Sequence, residues 1–129
     1  MQTFHLAIPV ADIEATEYFY TQVLGAQCGR RYRDRVILRF FNQQLVCHLS
    51  PSDTPKEPAM YPRHFGLIFH NKIDFDTLYA RCQQAKCEFF RERFTRWPDL
   101  PEQHDTFFIV DPSKNILEFK FYYNQDSIF

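Results

Sequence analysis

The chain has 129 residues, enough to bury one ordinary core without disulfide staples and too few for several large domains. Hydrophobic residues make up 45% and aromatic residues 18%, with fifteen Phe and seven Tyr, which excludes a disordered chain and points to a compact β-containing domain. A formal net charge of −1, with Lys and Arg scattered and no basic stripe, excludes long-range attraction to nucleic acid or an anionic membrane.

The N-terminal "MQTFHLAIPVAD" lacks a basic region followed by an apolar run. No segment approaches the roughly 18 apolar residues that span a bilayer, so a soluble cytoplasmic protein is expected. Residues 3–10, "TFHLAIPV", predict a strand. Asp12 then offers an N-cap for a helix whose apolar positions Ile13, Thr16, Phe19, Tyr20, Val23 and Leu24 follow the helical period, and Gly25 supplies its stop. "AQCGRRY", "DRVILRFF" and "QQLVCHLS" predict three strands, the last two joined by a turn at Asn42-Gln43. The stretch 51–62 holds four of the eight prolines and reads as a connection. Beyond it the order repeats: strand "RHFGLIFH", a helix from about Asp74 to Ala85, and strands "CEFFRERF", "HDTFFIVD" and "NILEFKFY". Residues 95–103, with two more prolines, predict a loop that could serve as a lid.

The expected fold is therefore α+β, two tandem β-α-β-β-β modules (about 1–50 and 63–123) forming a curved mixed sheet around a cleft in a single domain 1–129. Modules this small do not bury their own sheet face, so the two complete each other within one chain or across a homodimer. Cysteines at 28, 47, 82 and 87 have no CxxC spacing, which argues against a zinc ribbon or a disulfide framework and predicts mostly buried, reduced thiols.

Strand alternation places His5, His48, His64 and Glu118 on faces opposite the large apolar residues, with small or mixed neighbours such as Ala7, Val46, Gly66 and Ile116. A sheltered face carrying His and Glu is a metal-site candidate, because a carboxylate in an apolar strand needs solvent, a partner or a cation. Each histidine alone reads more often as a hydrogen-bonded structural residue than as a ligand. Taken together, His5 and His64 open the two repeats, and His48 and Glu118 are expected at matching positions in their last strands.

With these residues in view, "FHLAIPV", "LGA", "RHFGLIF" and the ending "DPSKNILEFKFY" resemble the vicinal-oxygen-chelate superfamily of glyoxalases, fosfomycin and bleomycin resistance proteins and extradiol dioxygenases. The resemblance covers nearly the whole chain. It implies one divalent metal ion (Fe, Mn, Ni or Zn) held by His5, His64 and Glu118, a small-molecule substrate and a homodimer. The chain departs from glyoxalase I where His48 stands for a glutamate ligand, and Lys114 stands where the family often has glycine.

Two His and one carboxylate suit a dioxygenase, leaving positions open on the metal for substrate oxygens and O₂. A glyoxalase-like lyase or isomerase is the alternative, with Glu118 as its only carboxylate base. A metal-free, resistance-type binding cup is a third reading. The expected catalytic residues are Glu118, His48 (a fourth ligand or a neighbouring acid/base) and His104 (an acid/base or a structural histidine). A two-residue turn at 42–43 would set Arg39 across from Val46, placed to clamp a substrate carboxylate. Phe108 is expected across from Glu118, and Arg91, Arg93 and Trp97 at the rim.

Overall fold

The computed structural model describes residues 1–129 and divides into two compact units. One comprises Met1–Glu57 with Asp111–Asn115, the other Pro58–Val110 with Ile116–Phe129. The boundary at 57/58 falls inside the proline-rich stretch, which contains only a short 3₁₀ turn, Pro51–Asp53.

In the first unit, β1 (His5–Val10), β2 (Gln27–Arg31), β3 (Arg35–Phe40) and β4 (Gln43–Leu49) form a mixed sheet in the order β1-β4-β3-β2. β1 runs parallel to β4, and the other pairings are antiparallel. The intervening helix α1 (Ile13–Tyr18) starts where the Asp12 carboxylate accepts the Ala15 N–H at 2.8 Å. It continues as a π-helical segment, Phe19–Val23, and stops at Gly25, whose φ of 88° is open to a residue without Cβ. Ile8, Val10, Val36, Leu38, Phe40, Leu45 and Cys47 alternate onto one sheet face and are buried with Ile13, Phe19, Tyr20 and Leu24.

The hairpin tip Asp111–Asn115 belongs to this unit. Asp111 accepts the Tyr20 hydroxyl at 2.8 Å and the amides of Ser113 and Asn115 at 2.8 Å each. Ser113 Oγ accepts the Ala11 N–H, and the Asn115 side chain donates to the Pro9 carbonyl.

The second unit repeats the plan with β5 (Phe65–Phe69), α2 (Lys72–Gln84), β6 (Phe89–Arg96), β7 (His104–Val110) and β8 (Ile116–Tyr122), in the order β5-β8-β7-β6. Asn71 caps α2 by accepting the N–H groups of Ile73 and Asp74. Phe75, Leu78 and Cys82, spaced at the helical period, are buried. Phe75 packs on Phe107 with ring centroids 5.4 Å apart, and Phe107 packs on Phe119 at 5.3 Å and Tyr79 at 4.9 Å. Each sheet thus has one face closed by its helix, leaving the opposite face for the polar residues singled out above. No helix is long and apolar enough to cross a membrane.

Two of the four cysteines, Cys47 and Cys82, are buried; Cys87 is intermediate and Cys28 exposed, and all four are free thiols. The β3-β4 turn falls at Phe41-Asn42, one residue earlier than expected, because Phe41 itself takes a positive φ of 59° and Phe40 pairs with Gln43.

Candidate functional site

Glu118 sits on β8 directly across from Gly66 on β5 and Phe108 on β7, as expected for Phe108. Its side chain is only 8% exposed. The burial is compensated by three partners: Thr106 Oγ1 donates to Oε2 at 2.7 Å, His64 Nε2 lies 3.1 Å from Oε1, and Lys120 Nζ lies 3.7 Å from the same oxygen. The His64 ring packs edge-on against Phe108, with centroids 5.8 Å apart. A cavity of about 180 Å³ opens here, lined by His64, Gly66, Ile68, Glu118 and Lys120 among others.

The tautomer of His64 follows from its other nitrogen. Nδ1 lies 2.8 Å from the Met60 carbonyl oxygen, which can only accept, so Nδ1 carries the proton. In the neutral ring the Nε2 lone pair then faces the Glu118 carboxylate, and two acceptors at 3.1 Å require a proton or a metal cation between them. Two ligands about 2.1 Å from a metal and about 90° apart lie about 3.0 Å from each other, so the spacing and the N/O chemistry fit a divalent ion. Within either unit, no three His, Cys, Asp or Glu side chains gather as a metal cage; His64 and Glu118 are the two donors that the second unit brings together.

In the first unit His5 pairs across β1/β4 with Gln44, and its Nδ1 donates to Gln44 Oε1 at 2.7 Å, leaving Nε2 with its lone pair. His48 does not stand beside it. His48 pairs with Pro9, four residues along the strand from the His5-Gln44 pair, about 13 Å away at strand rise. Register also overturns its equivalence with Glu118: Ala7 pairs with Val46 as Gly66 pairs with Glu118, so Val46 is the counterpart of Glu118 and His48 lies two residues beyond it. His48 is therefore not placed to share a metal with His5.

The earlier turn moves Arg39 as well. It lies across from Gln44 rather than Val46, on the face that carries His5, and its Nη2 reaches Asn42 Oδ1 at 3.3 Å. Arg39 lines a cavity of about 290 Å³ with Thr3, Gly29, Ile37, Asn42, Gln43 and Gln44 among others.

Two further expectations fail on position. His104 pairs with Tyr122, four residues along β8 from Glu118, and is buried, stacked on the Tyr122 ring at 4.5 Å with Nδ1 donating to the Glu102 carbonyl. About 13 Å of strand separates it from the carboxylate, so it is a structural histidine, not an acid or base for that site. Arg93 is no rim contact either. Its guanidinium bridges Asp76 at 2.7 Å and Asp105 at 2.9 Å and lies over the Phe75 ring, on the helix-packed face opposite Glu118. Arg91 stacks on Phe94, and Trp97 is half exposed.

Sequence reasoning put Lys120 on the face of Glu118 without giving it a role. The period-two pattern was the signal, since residues 118 and 120 share a face. The Met60 carbonyl that fixes the His64 tautomer lies in the proline-rich connection, where no periodicity points to it.

A family model for the Glyoxalase/Bleomycin resistance protein/Dioxygenase superfamily matches residues 2–119. A solved glyoxalase/bleomycin resistance protein/dioxygenase from Alicyclobacillus acidocaldarius is 45% identical, aligns over 99% of this chain and 96% of its own, and superposes with a TM-score of 0.95. A lactoylglutathione lyase from Agrobacterium tumefaciens shares the fold at 22% identity and a TM-score of 0.71, over 93% of this chain and 92% of that one. So does a fosfomycin resistance protein from Listeria monocytogenes, at 12% identity and a TM-score of 0.71, over 99% and 97%. None of the curated proteins matches. Two tandem four-stranded modules, the family match over residues 2–119 and the 45% identity over nearly the whole length make this chain a member of the Glyoxalase/Bleomycin resistance protein/Dioxygenase superfamily.

Proposed function

We propose that the protein is a divalent-metal-dependent enzyme, dioxygenase-like, acting on a small oxygenated anionic substrate. The observation that carries this reading is His64 Nε2 standing 3.1 Å from the buried Glu118 carboxylate while Nδ1 is taken up by the Met60 carbonyl. His64 and Glu118 would hold the ion, and the family resemblance is what names His5 as the third donor. When bound, the ion supplies Lewis acidity and open positions for vicinal substrate oxygens.

The chain's own groups do the rest. Thr106 fixes the rotamer of Glu118 by donating to Oε2, so that Oε1 stays turned toward His64. The Lys120 ammonium at the cavity attracts an anionic group of the substrate, and Phe108 presents an apolar wall against the His64 ring. Arg39, on the face that carries His5, is a second carboxylate clamp. With His48 set apart from His5 and His104 set apart from Glu118, the donor set of this reading is two His and one carboxylate. That set suits O₂ chemistry better than a proton shuttle needing a second carboxylate.

The test begins with protein purified without chelator. It is expected to carry about one Fe, Mn, Ni or Zn per chain and to sediment as a homodimer at twice 15.6 kDa. The metal-loaded protein is expected to take up O₂ with a catechol or 2-oxo acid. His64→Ala is expected to lose the metal and the thermal stabilisation that added metal gives the parent. Turnover of a thiol hemiacetal without O₂ would replace this reading with the lyase one. Metal far below one equivalent, with the parent's melting temperature indifferent to added ions, would leave the metal-free binding cup.

A further inference from the structure

Helix α2 ends in a turn whose geometry brings two cysteines together. Ala85 closes the helix, Lys86 takes a positive φ of 54°, the Lys86 N–H bonds the Gln83 carbonyl at 3.1 Å and the Cys87 N–H bonds the Cys82 carbonyl at 3.0 Å. This is the Schellman pattern, in which the side chains at its two outer positions touch, ordinarily as an apolar contact. Here both outer positions are cysteine, so the turn sets the two side chains side by side. The 3.0 Å bond between the carbonyl of one residue and the amide of the other limits their Cα separation. Adding the covalent reach of about 1.5 Å and about 2.4 Å at its ends keeps the two Cα atoms within about 7 Å, the range a disulfide spans.

Access differs between the two. Cys82 is fully buried on the core face of α2, while Cys87 is partly open to solvent at the start of the chain leading to β6. We propose that Cys82 and Cys87 are a reversible dithiol–disulfide site, in which Cys87 attacks the oxidant and buried Cys82 resolves the product. The neighbouring thiol holds Cys87 below its ordinary range and, with burial, Cys82 above it. Cys28 is the internal control: exposed, but with no second cysteine against it and with its thiol pushed up by burial and by Glu17.

With a peroxide as oxidant, the Cys87 thiolate attacks one oxygen, the O–O bond breaks, hydroxide leaves, and Cys87 becomes a sulfenic acid. The Cys82 sulfur then displaces that hydroxyl group, an S–S bond forms, and water departs with the Cys82 proton. Two thiols and one hydrogen peroxide become one disulfide and two waters. The site lies on the helix-packed side of its sheet and does not depend on the metal reading.

Full-length, reduced protein is treated with one equivalent of hydrogen peroxide, blocked with N-ethylmaleimide and mapped by peptide mass spectrometry. A Cys82–Cys87 peptide lacking two hydrogens and reopened by dithiothreitol is expected. In Cys82→Ala, dimedone is expected to trap a Cys87 sulfenic acid; in Cys87→Ser, Cys82 is expected to stay reduced. In the parent, Cys87 is expected to react with iodoacetamide at least about tenfold faster than Cys28 at neutral pH. The proposal is overturned if Cys82 and Cys87 both remain alkylatable while Cys28 oxidises, or if Cys87 passes to higher oxides without linking to Cys82. Equal alkylation of Cys87 and Cys28 also overturns it. The mapping on the parent protein stands whether or not the variants fold.

Discussion

Gly66 has no room to become any other residue. A Cβ placed there would sit 1.6 Å from the Glu118 carbonyl oxygen and 2.6 Å from its carbon, so β5 and β8 approach each other only because that atom is missing. From the sequence, the small residue two along from His64 reads as space left in a recess. In the structure the space is filled by the neighbouring backbone, and that close packing sets the strand that presents Glu118 beside His64. Gly66→Ala is therefore expected to destabilise the protein by about 3 kcal/mol or more, at the top of the overpacking range. Urea unfolding would measure it, and a change below about 1 kcal/mol would contradict the close approach. The identity of the donors was legible because alternation singles out His5, His64 and Glu118. The partners that aim them were not: the Met60 carbonyl and Gln44 carry no pattern that distinguishes them from ordinary loop or strand residues, and alternation put Lys120 on the face of Glu118 without giving it a role.

At the scale of elements, periodicity located all eight strands and both helices to within two or three residues, because the large apolar residues recur at the strand or helix period on the face that each helix and sheet share. Registers were less legible. The β3-β4 turn has its positive φ at Phe41, an aromatic residue where turn chemistry favours Asn or Gly, so the adjacent Asn42 draws the expected turn one residue too late. That single step moved Arg39 from Val46 to Gln44. Irregular pairing in β6, between Phe89 and Arg91 and again between Arg91 and Phe94, likewise breaks strict alternation before Arg93.

Arg93 ties β6 to α2 and β7 through Asp76 and Asp105. Burial alone would raise the Asp105 carboxyl, yet hydrogen bonds from Arg93, Thr95 and Tyr123 and the Arg93 charge hold it below its ordinary value. Hydrogen bonding from Lys72, joined by Arg93, lowers Asp76. A carboxyl depressed on folding adds stability above its unfolded value, about 3.9, and that stability is lost as pH falls through the folded value. Arg93→Met is expected to cost about 2 kcal/mol at pH 7, leaving Asp105 buried beside Thr95 and Tyr123 without its cation. It should also flatten the loss of stability below about pH 4 while leaving metal affinity unchanged. Denaturant curves from pH 7 to 3 with a metal titration would check all three; weakened metal binding with an unaltered pH profile would return Arg93 to the functional site.

The whole molecule runs through one β-α-β-β-β plan twice, and the exception to a clean division lies at Asp111–Asn115. These five residues are encoded in the second repeat, at the tip of the β7-β8 hairpin, but they complete the first unit. They accept the hydroxyl of Tyr20, which is wholly buried, and they satisfy the Ala11 amide and the Pro9 carbonyl. A chain cut after Glu57 would leave these three groups without partners, at about 1–3 kcal/mol for each that stays buried. Residues 1–57 expressed alone are thus expected to show no cooperative thermal unfolding, whereas added residues 58–129 should restore it. A cooperative transition in the fragment by itself would show that the borrowed turn is dispensable. The two repeats are in this sense not interchangeable parts: the first cannot be exchanged or engineered on its own without five residues that the chain encodes in the second.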